Sequence, residues 1–152
     1  MTTFAFLAYF ALATGDGINW NKTVIEENHK HVPTTYKTIY RQVYWARYVD
    51  WSLTTPLLIL NLSLLASLAG ANILVAIVAD VIMVLTALFA AYGSDDGQKW
   101  GWFAISCIAY LTVVYQLAFN GRAAVAGKDS KIKTFYAAIG GFALLIWIAY
   151  LV

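Results

Sequence analysis

Residues 44–58 read YWARYVDWSLTTPLL, a largely apolar helical segment that contains an arginine and an aspartate, Arg47 and Asp50. An ionisable side chain inside a membrane helix is costly unless it is paired or hydrated. Two interpretations follow. The pair belongs to an ion pathway or counter-ion site, or it only fixes the register of the helix near one membrane surface.

The polar side chains of this segment share one face of the predicted helix. At about 100° per residue, Arg47 lies about 60° from Asp50 and Thr54 about 40° from it, each about one turn away. Asn61 lies about 20° from Asp50 and about 16 Å along the axis. Pro56 removes one backbone hydrogen bond between the upper and lower groups and can kink the helix. A register pair needs no polar groups this deep, so a functional face is favoured.

The surrounding composition is that of a membrane protein. Of 152 residues, 61% are hydrophobic and 12% are charged, and the mean hydropathy is +0.67. Residues 1–15, 100–121 and 134–152 carry no charge, and residues 51–94 carry only Asp80. Such runs fit membrane helices of about 20 residues. A net charge of +2 without a basic stripe gives no indication of a nucleic-acid partner.

We predict an all-α transmembrane helix bundle that forms a single domain over residues 1–152. The polar segment 15–39 is too long for a tight connection. Its β-branched pieces at 22–25 and 32–36 predict a small hairpin outside the membrane. The five spans are expected at about residues 2–14, 40–68, 73–92, 98–119 and 131–152.

The charges of the loops do not decide the orientation of this bundle. One side carries Lys22, Lys30, Lys37, Arg41 and Lys99, and the other carries Arg122, Lys128, Lys131 and Lys133. The second group is denser, because it lies within one short loop. The positive-inside rule therefore favours a cytoplasmic position for residues 120–133 and an external position for the hairpin.

The segment 44–58 resembles the third helix of the microbial (type I) rhodopsins, in particular the fungal bacteriorhodopsin-like proton pumps. The resemblance continues in order along the chain and implies part of the seven-helix rhodopsin fold. The first and seventh helices of the family have no counterpart, so we expect a fragment that covers helices two to six. Residues 9–17 resemble the end of the second helix, 79–83 the fourth, 102–106 the fifth and 147–150 the sixth.

This resemblance implies a photoreceptor that binds all-trans retinal as a protonated Schiff base. The family's aspartate at position 50 is the counter-ion and proton acceptor, which suits the need of a buried cation for a nearby anion. Arg47 would keep this carboxylate ionised, and Thr54 would hydrogen-bond it. Positions that surround retinal in the family correspond to Tyr48, Trp51, Thr55, Leu58, Met83, Trp102, Ser106, Trp147 and Tyr150, with Tyr9 and Asp80 also at pocket positions.

Plain packing is the alternative for these aromatic residues, and a protonated carboxyl that bonds a neighbouring helix is the alternative for Asp80. Three features depart from the family pattern. No lysine lies deep within a predicted span, since Lys131 and Lys133 are at the loop end of the last one, so the Schiff-base lysine of the family's seventh helix is not in this chain. Asn61 stands where pumps carry a proton-donating carboxylate. An amide cannot donate a proton there, so we expect a slow photocycle that depends on pH. Leu151 stands where the family usually has proline.

Two functions remain. The first is a light-driven outward proton pump, and the second is a photosensory or opsin-related membrane protein without net pumping. A retinal-free protein that keeps the scaffold is a third, less favoured class. No nucleophile–base set indicates an enzyme, and His29 and His31 are too few for a metal site. The expected partners are the lipid bilayer, retinal and protons, in a multi-pass protein of the plasma membrane that could form homotrimers.

Overall fold

The computed structural model describes residues 2–27 and 35–151, with side chains except those of Ile25, Glu27, Thr35 and residues 148–151. One helix, α4, is α-helical to Val114, makes a π-helical turn over Tyr115–Gly121 and ends with Arg122–Val125. The elements of the described part are, in order, α1 (Thr2–Thr14), β1 (Asn19–Glu27), β2 (Thr35–Val43), α2 (Trp45–Ala66), α3 (Gly70–Tyr92), α4 (Asp96–Val125) and α5 (Ser130–Leu151).

The second helix begins at Trp45, so the predicted start at Tyr40 is wrong. Residues 35–43 are rich in β-branched and aromatic side chains, which favour a strand, and they form β2. This strand pairs antiparallel with β1 from Asn19↔Val43 to Glu27↔Thr35. The predicted hairpin is therefore present, but its second strand extends to Val43, into the segment that the sequence predicts as helix. His29 and His31 lie outside the described residues.

Three helices of the described part are long and apolar enough to cross a membrane, namely α2, α3 and α4. The most apolar 18-residue windows of these helices have mean hydropathies of 1.4, 2.7 and 1.7. Helix α1 is also apolar but has 13 residues. Large apolar side chains cover the helix faces that point away from the bundle, including Leu74 and Ile108, which are 63% and 65% exposed. Lipid would cover these side chains, since water would not favour so much apolar surface.

The core consists of three apolar clusters stacked along the bundle. We call the end with the hairpin the outer end, and the end with the turns at 67–69 and 126–129 the inner end. The outer cluster is built on Met83, Val84, Ala109 and Tyr110. The middle cluster is built on Ile59, Ala76, Ala79, Val113 and Leu117. The inner cluster is built on Leu62, Ala66, Val125 and Tyr136.

The hairpin is fixed to the helices at both of its sides. The chain passes α2 closely at Gly17, where a Cβ atom would lie 2.9 Å from the Cβ of Ala46, so a larger residue would force the two segments apart. On the other side, the Asn21 side-chain amide donates to the main-chain carbonyl of Tyr92 at 3.0 Å, at the end of α3. These contacts hold the hairpin over the outer end of the bundle.

The π-helical turn of α4 is stabilised by a side chain of α5. The buried Tyr136 hydroxyl donates to the carbonyl of Leu117 at 2.8 Å, inside this turn. The tyrosine ring needs the space that Gly121 leaves, because a Cβ atom there would overlap the Tyr136 hydroxyl. The absence of a side chain at Gly121 thus allows α4 and α5 to be joined.

We predict that Gly121→Ala destabilises the folded protein by about 1–3 kcal/mol, the usual effect of overpacking a tight site. Thermal unfolding in detergent micelles measures this effect. Gly101→Ala is the matched control, because no atom lies within 4 Å of a Cβ at that helical glycine. Equal unfolding temperatures of the two variants would contradict the proposed role of the contact.

Candidate functional site

A cavity of about 360 Å³ lies between the outer halves of α2, α3 and α5. Its size is in the range of ligand pockets, roughly 300–1,000 Å³. Helical spacing explains the wall from α2, because residues 47, 51 and 55 recur every four positions and face the same side. The cavity is lined by Arg47, Tyr48, Trp51 and Thr55 from α2, by Met83, Val84 and Ala87 from α3, and by Ile146 and Trp147 from α5.

Aromatic rings order the outer side of this cavity. The Arg47 guanidinium carbon lies 5.3 Å from the centre of a Trp51 ring, a distance at which a cation is attracted to the ring face. Tyr48 and Trp51 meet edge to face, with ring centres 5.7 Å apart and planes at 66°. Such contacts limit the rotamers of all three side chains, so this wall is preorganised.

Asp50, which precedes Trp51 in the chain, is buried and does not itself line the cavity, and one of its carboxyl oxygens is unsatisfied. Its residue is 7% exposed, and the Oδ1 atom has no hydrogen-bond partner among the described residues. The Thr54 hydroxyl donates to the main-chain carbonyl of Asp50 at 2.9 Å, so the predicted bond from Thr54 to the carboxylate is wrong. A buried acceptor without a partner is destabilising. The carboxylate is therefore suited to a cation or donor that is not among the described side chains.

A second buried carboxyl, Asp80, joins α3 to α2. The Thr55 hydroxyl oxygen lies 2.6 Å from the Trp51 carbonyl oxygen and 2.6 Å from Oδ2 of Asp80. A hydroxyl group has one hydrogen to donate. Both contacts are satisfied when Thr55 donates to Trp51 and a protonated Asp80 donates to Thr55. This is the interhelical hydrogen bond that the alternative interpretation of Asp80 predicts.

The structure brings five of the predicted retinal-contact residues together in the cavity wall and places others behind it. The wall contains Tyr48, Trp51, Thr55, Met83 and Trp147. Behind it, the fully buried Ser106 hydroxyl donates to the Met83 carbonyl at 3.0 Å and so joins α4 to α3.

Four further predicted residues do not line the cavity. Trp102 is 38% exposed and packs on Phe89 with ring centres 5.2 Å apart. Leu58 packs against the inner cluster, and Tyr9 is exposed on α1. Asn61 is exposed and donates to the Leu57 carbonyl at 2.8 Å. The predicted contact of Tyr150 lies outside the described side chains.

Val84, Ala87 and Ile146 also line the cavity, although sequence reasoning did not identify them. Their positions carry a weak signal. Ala87 lies one turn after Met83 on the same face of α3, and the other two residues adjoin predicted positions. Small or aliphatic side chains in an apolar helix are otherwise indistinguishable from packing residues.

The sequence model of the bacteriorhodopsin-like protein family matches residues 1–152. The chain belongs to this family. Opsin-1 of Neurospora crassa is 49% identical over 152 residues, which are 99% of this chain and 50% of that protein. The bacteriorhodopsin of Haloterrigena is 33% identical over 150 residues, 99% of this chain and 55% of that protein.

Among solved structures, the light-driven proton pump LR (Mac) from Leptosphaeria maculans is 57% identical, with a TM-score of 0.92 over 99% of this chain and 61% of that one. The predicted family and fold class are thus confirmed, and the protein is a multi-pass integral membrane protein. The chain spans about half the length of the curated relatives that it matches.

We predict that Thr55→Val destabilises this rhodopsin-family bundle by about 1–3 kcal/mol, because it leaves the fully buried Asp80 carboxyl without its partner. Thr112→Val is the matched control, since among the described residues the Thr112 hydroxyl bonds only to Ile108 of its own helix. Thermal unfolding of both variants in micelles gives the difference. A loss no larger than that of the control would show that the interhelical bond contributes nothing.

Proposed function

We propose that the protein binds retinal in the cavity between α2, α3 and α5 and, at its full natural length, works as a light-driven outward proton pump. The observation that supports this proposal most directly is the buried Asp50 carboxylate, whose Oδ1 lacks a partner among the described residues. The 57% identity to the Leptosphaeria maculans proton pump supports the proposal of a pumping function.

The cavity suits a long, flat, apolar cofactor. Trp51 and Trp147 provide aromatic surface from two helices, and Met83 provides an adaptable apolar contact. Retinal, when bound, supplies absorption of visible light and a proton on the nitrogen that attaches it to a lysine. The residues of this chain would hold its polyene, exclude water from it and leave the carboxylate of Asp50 for the cationic end.

Asp50 would serve as counter-ion in the dark and as proton acceptor in the light. An ionised carboxylate in an apolar bundle needs a compensating positive charge, and Arg47 lies one helical turn before Asp50 on α2. Its guanidinium is held by Trp51, which limits its freedom to turn toward water. Thr54 would act through the backbone of Asp50, since its hydroxyl bonds the main-chain carbonyl.

Asn61 would lie on the return path of the proton, between Asp50 and the inner end. Its amide donates to Leu57 and has no acidic proton to give. The proton would therefore come from water at the inner surface, which we place in the cytoplasm because of the cations at 120–133. The plasma membrane and trimeric assembly remain predictions.

The same asparagine supports a second candidate function. A protein that recovers slowly holds its light-activated state for longer, as a photosensor must. The relative that is 49% identical is an opsin whose name states no transport activity. Net proton movement under continuous light separates the two functions, because a sensor absorbs light without it.

We predict that the protein at its full natural length, supplied with all-trans retinal, absorbs visible light and acidifies the medium of illuminated spheroplasts. Asp50→Asn should abolish acidification and shift the absorption to longer wavelength, since it removes the anion that stabilises the cationic ground state. A pH electrode and an absorption spectrum measure both effects.

Asp96→Asn is the control for these measurements, because Asp96 forms an exposed ion pair with Lys99 at 3.0 Å. It should pump like the unchanged protein. Absorbance without acidification would exclude the pump and favour the sensor, and no absorbance at all would exclude both functions. Full pumping by Asp50→Asn would show that another group accepts the proton.

We predict that Asn61→Asp speeds the recovery of visible absorbance after a flash at neutral pH, because it introduces a proton donor on the return path. Flash spectroscopy from pH 6 to pH 8 measures this rate, and the variant should also depend less on pH than the unchanged protein. Asn61→Leu is the control, since it changes the side chain without adding a donor. If the aspartate variant recovers no faster, Asn61 does not lie at the uptake step.

A further inference from the structure

The inner end of α2 is closed in two ways, of which the first is its own backbone. The last carbonyls of a helix lack intrahelical partners. The N–H of Ser67 donates to the Leu64 carbonyl at 3.0 Å, and the N–H of Leu68 donates to the Ser63 carbonyl at 2.9 Å. This arrangement requires the left-handed conformation of Ser67, whose φ is +57°. The next carbonyl, that of Leu65, is left for another donor.

The second closure comes from Lys128, in the turn between α4 and α5. Its Nζ atom donates to the Leu65 carbonyl at 3.0 Å and to the hydroxyl of Ser67. The main-chain N–H of Lys128 donates to the Val125 carbonyl at 2.9 Å, which fixes the start of the side chain. A cation at the C-terminal end of a helix also interacts favourably with the helix dipole.

Lys128 differs in this respect from the other cations of the predicted loop 120–133, which the structure places in the flanking helices α4 and α5. Arg122, Lys131 and Lys133 are exposed, and within the described part of the chain their side chains form no hydrogen bond or ion pair. Lys128 is half-buried and reaches a neighbouring helix. The four positive charges of this loop therefore include one with a defined structural contact and three that are free to interact with solvent.

The contact joins two parts of the bundle that are otherwise held together by apolar packing at this end. Tyr136 and Leu117 tie α5 to α4, so these two helices act as a pair. Between this pair and α2, the inner end has the inner cluster and, among the described residues, only the polar contacts of Lys128. Breaking these contacts would loosen the pair from α2 without cutting a covalent or backbone link.

We propose that Lys128 is a latch that keeps the inner end closed, and that its release admits the proton that Asn61 cannot donate. Leu65 lies four residues after Asn61, about 6 Å along the axis at 1.5 Å per residue. Separation of the inner ends of α2 and α5 would admit water between the helices, past Leu62 and Ala66 of the inner cluster, which are buried at and below the level of Asn61. Lys128 is thus a positioning residue for proton uptake, and this inference rests on the proposed pump function.

The test is Lys128→Met in the full-length retinal-bound protein in nanodiscs, because methionine keeps the apolar stem without the charge. Recovery of visible absorbance after a flash should be at least about tenfold faster, the factor for one charge-assisted hydrogen bond, since the substitution removes two. A pH dye should show proton uptake accelerated by the same factor. Lys133→Met removes an equal charge from the same loop without removing a contact, and it should leave both rates unchanged.

A second measurement separates a latch from a structural role. In the Asn61→Asp background the return proton comes from inside the bundle, so Lys128→Met should no longer change the recovery rate. A purely structural role of Lys128 would lower the unfolding temperature in both backgrounds and leave the recovery of the single variant unchanged. Equal acceleration by Lys133→Met would also overturn the proposal, because surface charge would then be the cause.

Ser67→Ala decides the question if Lys128→Met does not bind retinal, since it removes one of the two acceptors and keeps the lysine. It should speed recovery by less than the lysine variant is expected to, and an unchanged rate would overturn the latch. Failure of the proposed function has a different signature. In that case the unchanged protein shows no light-driven proton release or uptake, before any variant is compared.

Discussion

Polar groups inside this bundle must find their partners within it, because lipid supplies neither donors nor acceptors. This constraint determines how the helices are joined. Asp80 and Thr55 link α3 to α2, and the Ser106 hydroxyl links α4 to the backbone of α3. The Tyr110 hydroxyl donates to the Leu144 carbonyl at 3.1 Å and links α4 to α5. Each link is an isolated polar contact among apolar residues, so each has a defined partner and fixes a helix register.

Asp50 is the exception that gives the bundle a candidate function. Among the described residues its carboxyl forms no hydrogen bond and its Oδ1 is buried, whereas Asp80, whose Oδ1 also has no partner there, contacts the Thr55 hydroxyl through Oδ2. Burial of this acceptor without a partner lowers the free energy of unfolding, so stability does not explain its position. Unsatisfied polar groups of this kind concentrate at functional sites, where a ligand completes them. The aromatic cavity beside Asp50 is where such a ligand has room.

The sequence predicted the helices because they depend on local patterns. Runs without charge define membrane spans, and the spacing of Arg47, Asp50 and Thr54 follows from helical geometry. The start of α2 could not be predicted in this way, since residues 35–43 become a strand only by pairing with residues 19–27. The predicted hydrogen bond from the Thr54 hydroxyl to the Asp50 carboxylate is wrong for a related reason. Helical spacing places a side chain on a face, but it does not tell whether a carboxylate or a backbone carbonyl will accept its hydrogen.

The proposed proton path would require fixed side chains in the outer half of the bundle and a change in packing in the inner half. In the outer half, preorganised aromatic and charged groups line the cavity on the helix that carries Asp50, which would suit transfer of a proton over a short distance between fixed atoms. In the inner half, Asn61 has no acidic proton to pass on, so in the proposed pump transfer there would require water and therefore a change in packing. An apolar inner cluster closed by one cationic contact suits this need, because a single contact can break while the remaining helix links persist. In the proposed pump, the lack of a proton donor at Asn61 and the single polar contact that closes the inner end would thus both follow from the need to admit water there.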